Sequence, residues 1–156
     1  AQVIEEADIP VIIIPEKYEL SVPEKIVYTT GYSPDDAQAL QYLTNFANVY
    51  NASLTVVHLT SAYETETGRL HQDTKFAAYK VDMKNVVQDF PVEFRLIRTP
   101  LITSTMENLH REIPYDLMAM TRRNKSQVER FFTGSFTRNM AYVTRYPLLI
   151  LPEQWD

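Results

Sequence analysis

Five apolar runs decide what this chain can fold into: "VIII" (Val11–Ile14), "KIVYTT" (Lys25–Thr30), "SLTVVHL" (Ser53–Leu59), "YDLMAMT" (Tyr115–Thr121) and "PLLILP" (Pro147–Pro152). None alternates cleanly between apolar and polar residues. A strand that reads this way is buried on both faces, and such strands belong to parallel sheets with helices on either side. A sixth run, "VEFRLIR" (Val92–Arg98), does alternate apolar with charged residues and reads as an edge strand.

Helical patterns fill the intervals. After Gly31, "SPDD" offers Ser33 as N-cap, Pro34 in the first turn, and Asp35 and Asp36 as charges facing the positive end of the helix dipole. Ala39, Leu40, Leu43, Phe46, Ala47 and Tyr50 then recur at helical spacing, and Asn51 ends the run. Further helices are expected over 66–87, where Gly68 blurs the start, over 103–113, and over 134–146. Strands alternating with helices give an α/β fold, a doubly wound parallel sheet.

The two ends of the chain nearly repeat each other. "DIPVIIIPE" (Asp8–Glu16) and "RYPLLILPE" (Arg145–Glu153) share two prolines around an aliphatic run. An exposed run of this kind would template aggregation through its open backbone groups. The expected remedy is antiparallel pairing of Val11, Ile12, Ile13 and Ile14 with Leu148, Leu149, Ile150 and Leu151, in the same chain or in a neighbour.

Composition narrows the function. With 156 residues the chain suits one domain with a sizeable core, and a net charge of −5 disfavours a non-specific grip on nucleic acid. No cysteine is present, so disulfides, thiolate zinc sites and cysteine nucleophiles are excluded. No apolar run approaches the roughly 20 residues of a membrane span. The first residues lack the basic start of a secretory signal, which makes a cytoplasmic location the default expectation. His58, His71 and His110 lie far apart without metal-ligand spacing; His58 reads as a structural residue at a strand end, the other two as surface residues. No Gly-x-Ser-x-Gly elbow surrounds any serine. Asp35 and Asp36 are read as helix-start charges rather than catalytic groups.

"KIVYTTGYSPDDAQAL", "LTVVHL" and "YDLMAMT…GSFTRNMAYVTRYPLLILP", taken in order, resemble the universal stress protein family. The resemblance implies a five-stranded parallel α/β fold over 24–156, with ATP bound by many members, and dimers formed by antiparallel pairing of last strands. It also implies that 1–19 are the tail of an upstream domain of a tandem chain, joined by a linker at 20–23. The other reading of 1–19 is an extra strand of a single domain.

The implied nucleotide site lies at the carboxyl ends of the strands, near the switch in strand order. It comprises the end of the first strand at Thr30 and Gly31, an adenine contact at Leu59, and a glycine pattern, G-x2-G-x9-G-[ST], whose amides wrap phosphates at a helix N-terminus. Counting places that pattern on Thr121, Asn124, Gly134 and Ser135, followed by Phe136. Only the last of the three glycines is kept, and Gly31 stands where ATP-binding members carry Asp. Glycine is needed there for close backbone approach and positive φ. Asn124 tolerates that geometry; Thr121 does not. Arg122, Arg123, Lys125 and Arg130 could still favour an anion, and Phe131 with Phe132 could fill the site. The expectation is therefore a non-enzymatic stress-response or regulatory domain with a degenerate nucleotide site, acting through dimerisation and partner binding, with no cofactor required. Binding of ATP or another anionic small molecule is the alternative, and slow ATP hydrolysis comes third for want of a water-positioning residue.

Overall fold

The structure, a computed structural model, describes residues 9–16, 18–19, 21–99, 105–122 and 146–152. Its elements are β1 (Val11–Ile13), β2 (Lys25–Thr29), α1 (Asp36–Tyr50), β3 (Ser53–Ser61), α2 (Glu66–Val86), β4 (Val92–Thr99), α3 (Thr105–Glu112), β5 (Leu117–Thr121) and β6 (Leu148–Leu151). They form one six-stranded sheet in the order β1-β6-β5-β2-β3-β4. Every pairing is parallel except that of β1 with β6. The strands without alternation, β5 and β6, are buried at every position, as double-sided packing demands. The alternating run forms β4, at the sheet edge, with Glu93 exposed and Phe94 buried.

Two cores flank the sheet. On one face Ile26, Tyr28, Leu54, Val56 and Ala119 pack under Leu40, Leu43 and Ala47 of α1 and Tyr79 of α2. On the other, Val27, Val57, Leu59, Met118 and Met120 pack under Leu109 of α3. The alternation within each strand thus sorts residues between the cores even where both faces are apolar.

Helix ends follow local chemistry. Asn51 takes a left-handed φ of 54° and its N–H returns to the carbonyls of Ala47 and Asn48, closing α1. Thr65 caps α2 by accepting from the Gly68 N–H at 3.1 Å. A Cβ on Gly68 would stand 3.2 Å from that same Thr65 hydroxyl, so the glycine makes room for the cap. Helix α1 begins at Asp36 rather than just after Ser33. The Ser33 Oγ instead accepts from the Asp35 N–H at 3.3 Å, forming a short turn ahead of the helix.

The end-to-end repeat resolves inside this chain. β1 lies antiparallel to β6 with Val11 opposite Ile150, Ile12 opposite Leu149 and Ile13 opposite Leu148. Ile13 packs into the α3-side core, whereas Ile12 and Ile14 remain 48% and 46% exposed.

Candidate functional site

The strand order reverses direction between β2 and β5: from β2 the chain moves to β3 and β4, and from β5 to β6. Loops leaving the two neighbours diverge there, which opens a crevice at their carboxyl ends. What fills that crevice is set by the last residues of each strand.

At its centre is Asp36, the first residue of α1, only 1% exposed. Its carboxylate accepts from the Tyr28 hydroxyl at 2.7 Å, from the Tyr79 hydroxyl at 2.6 Å, and from the Thr30 hydroxyl. The Thr121 hydroxyl, at the end of β5, bonds in turn to Tyr28. β2, β5, α1 and α2 therefore meet in one polar knot buried beneath the crevice. Burial pushes the Asp36 carboxyl above its usual 3.8, and the three hydroxyls hold that rise back. Burial, then the charge of Asp36, pushes Tyr28 and Tyr79 far above the ordinary phenol range. Asp36 does stand in the first turn of α1, as "SPDD" predicts, and as a buried carboxylate with three donors it is a structural tie as well. No feature of "SPDD" shows the burial; it comes from Tyr28 and from Tyr79, which is 43 residues away.

A second arrangement lies beside the knot. Tyr32 adopts a φ of 62°, a conformation that a bulky residue rarely takes. Its N–H donates to the Thr30 hydroxyl at 2.9 Å. Its ring stacks on His58, centroids 4.0 Å apart and planes at 20°, and leans on Tyr79 at 5.1 Å. The His58 Nδ1 lies 2.8 Å from the Thr30 carbonyl. Burial, with the carboxylates of Asp73 and Glu64 nearby, pushes the Tyr32 phenol up to about 12.

The residues expected from sequence fall in different places. Thr30 is fully buried and belongs to the knot, its N–H donating to Val57 at 2.9 Å. Gly31 is exposed and has no positive φ; that conformation passes to Tyr32. Thr121 is buried with its hydroxyl in the knot. Leu59 lies in the α3-side core, on the opposite face of the sheet from Tyr32 and His58. Asn124, Gly134, Ser135 and Phe136 lie outside the described residues, as do Arg123, Lys125, Arg130, Phe131 and Phe132. His110, expected at the surface, is instead half-buried and stacks on Tyr146 at 4.2 Å, with Tyr115 at 5.0 Å. Tyr28, Tyr32 and Tyr79 were not singled out from sequence. The available signal was a phenol in a buried strand or stripe, which must find a hydrogen-bond partner.

Other features add little chemistry. A hollow of about 450 Å³ between α1 and the end of α2, lined by Gln41, Asn45, Asn48 and Phe90 among others, opens at the amino end of the strands, away from the crevice. Among the described residues no group of three or more His, Cys, Asp or Glu side chains could hold a metal ion. No described helix is long and apolar enough to cross a membrane.

Comparison with known proteins bears on the whole arrangement. No curated protein matches the sequence. Among solved structures, a universal stress protein in complex with cAMP matches with a TM-score of 0.57 at 18% identity, over 86% of this chain and 100% of that one. The universal stress protein from Archaeoglobus fulgidus in complex with dAMP gives a TM-score of 0.59 at 10% identity, over 83% and 98%. A longer universal stress protein from Archaeoglobus fulgidus DSM 4304 gives 0.59 at 14%, covering 96% of this chain but 52% of its own length. These likenesses establish the fold. The universal stress protein family model matches residues 23–152, most of the sequence, and the chain belongs to that family.

Proposed function

We propose that this chain is a non-enzymatic regulatory domain of the universal stress protein family, acting by association with partner proteins, with its nucleotide crevice shut. One observation carries the reading: the crevice ends of β2 and β5 hold hydrogen-bonded side chains where the family's nucleotide binders are expected to have bare backbone. Thr121 stands where the resemblance calls for bare backbone, and its hydroxyl is engaged by Tyr28, which is tied to Asp36. A phosphate chain approaching there meets the bulk of a β-branched residue, with the carboxyl of Asp36 buried beneath it. No cofactor is required by this reading.

Association is supported at the other side of the sheet. β1 has β6 on one edge and no described strand on the other, and Ile9, Ile12 and Ile14 are exposed along it. An apolar strand with an open edge invites a second strand. A homodimer, or pairing with an upstream domain of a tandem chain, would cover it through Val11–Ile14. The tandem reading is further supported by coverage: the longer relative aligns with 96% of this chain, the two nucleotide complexes with 86% and 83%.

The second reading is a nucleotide or other anionic small-molecule binder. It is favoured by the cAMP and dAMP found in the two relatives. It is favoured also by Thr29, 1% exposed at the end of β2, whose hydroxyl has no partner among the described residues. Equilibrium dialysis against labelled ATP and Mg²⁺, with light scattering on the same sample, separates the two. Association without retained ATP supports the first reading; retained ATP at one per chain supports the second.

A further inference from the structure

The hollow of about 450 Å³ between α1 and the end of α2 lies at the other end of the sheet from the β2–β5 crevice. Its volume falls in the range of small-molecule sites, about 300–1,000 Å³. Two stretches of sequence build it. Gln41, Asn45 and Asn48 recur at helical spacing on one face of α1, beside the face that buries Leu40, Leu43 and Ala47. α2 ends at Val86, the Val87 N–H returns to the Met83 carbonyl, and the Phe90 N–H donates to the Val87 carbonyl at 2.9 Å. This tight turn sets Gln88 and Asp89, both exposed, along the hollow before β4 begins at Val92.

The chemistry of the lining is one-sided. Asp89 is its only formal charge, and no described Lys, Arg or His lines it. Asn48 lies in the last turn of α1 and Val86 in that of α2, so the negative ends of two helix dipoles border the space. Four side-chain amides, from Gln41, Asn45, Asn48 and Gln88, face it with the Asp89 carboxylate. None of these five side chains enters a hydrogen bond or an ion pair among the described residues. Phe90, half-buried, adds an aromatic ring to the lining. An anion is opposed by the one charge and by both dipoles. A bare metal ion, which needs several oxygen ligands held together, finds a single carboxylate.

We propose that this hollow binds a small organic cation, an ammonium group on a short hydroxylated body. The Asp89 carboxylate and the helix ends attract the ammonium, and the Phe90 ring offers it a π face. The amides of α1 exchange hydrogen bonds with the hydroxyl. The site shares no residue with the β2–β5 crevice, so the inference stands whether or not that crevice takes a nucleotide.

NMR titration of the isotope-labelled chain with choline tests it. The comparison probe is the neutral isostere of choline, with carbon in place of the quaternary nitrogen. Choline should shift the amide signals of Asn45, Asn48 and residues 87–90 saturably, and the isostere should bind at least tenfold more weakly. Asp89→Asn, at an exposed position, should keep the unfolding midpoint and narrow that gap to less than threefold. Asn45→Lys should keep the midpoint as well and abolish choline binding by placing a like charge in the hollow. Equal binding of the two probes overturns the cation preference. No saturable shift, or shifts confined to another part of the chain, overturns the site. A gap that survives Asp89→Asn, or choline binding that survives Asn45→Lys, overturns the roles given to these residues.

Discussion

Replacing Asp36 separates the two forces acting on the polar knot. In Asp36→Ala the hydroxyls of Tyr28, Tyr79 and Thr30 lose their common acceptor. A buried hydroxyl left unmatched costs about 1–3 kcal/mol. Tyr28 keeps the Thr121 hydroxyl as a partner, so its loss is partly offset. The expected total is about 2–5 kcal/mol, a large share of a domain's stability. Asp36→Asn keeps the shape and an acceptor oxygen but removes the charge, and its effect depends on pH. The folded-state carboxyl is raised above 3.8, chiefly by burial. Below the unfolded value both states hold the proton and the term vanishes. As pH rises from there through the folded value, the native state retains a proton that the unfolded state has released, so the wild type loses stability from this group. Asparagine has no such slope. The stability of Asp36→Asn relative to the wild type should therefore improve from pH 4 to pH 7, read as the difference between urea unfolding curves. A difference that is flat or that runs the other way would show the carboxylate to be well solvated and the knot misdescribed.

Other expectations follow from single contacts. The high phenol values of Tyr28 and Tyr79 mean that ionisation opposes the fold: the stability they contribute is whole below the ordinary phenol pKa and is lost as pH climbs beyond it. Spectrophotometric titration should show these two phenols ionising only together with unfolding. Thr65→Ala removes the α2 cap and should cost about 1 kcal/mol, with loss of helical signal confined to a small fraction. Asp116 accepts from the N–H groups of Glu24 at 2.9 Å and Lys25 at 3.0 Å, tying the start of β5 to that of β2. Asp116→Ala should lower stability by about 1–3 kcal/mol, and Asp116→Asn by less. Ile12→Lys, on the exposed side of β1, should leave the unfolding midpoint within about 0.5 kcal/mol while weakening self-association by light scattering.

The architecture was legible where burial leaves a one-dimensional trace. Unbroken apolar runs marked β5 and β6 as covered on both faces, and the alternating run marked β4 as an edge. The proline-bracketed repeat foretold the antiparallel pairing of β1 with β6; the same chain and a neighbour were both open as the source of the partner strand, and here it is the same chain. The site was less legible because its chemistry comes from long-range side-chain partners. Asp36 after Ser-Pro-Asp reads like any helix-start carboxylate, and only the arrival of Tyr79 from α2 makes it a buried acceptor. Gly31 drew notice as the end of β2 and as the stand-in for an aspartate, whereas the unusual φ falls one position later, on Tyr32. The glycine pattern was countable in the sequence, but of its positions only Thr121 falls among the described residues.

The account's central claim is that the side chains at the crevice ends of β2 and β5 leave too little room for the phosphates of a nucleotide. Isothermal titration of the wild-type chain with ATP and Mg²⁺ tests it most directly. The account predicts no saturable heat up to millimolar ATP, that is, binding weaker than about −4 kcal/mol. A one-to-one isotherm with a micromolar Kd would contradict it, and with it the picture of Thr121, Tyr28 and Asp36 as a closed door.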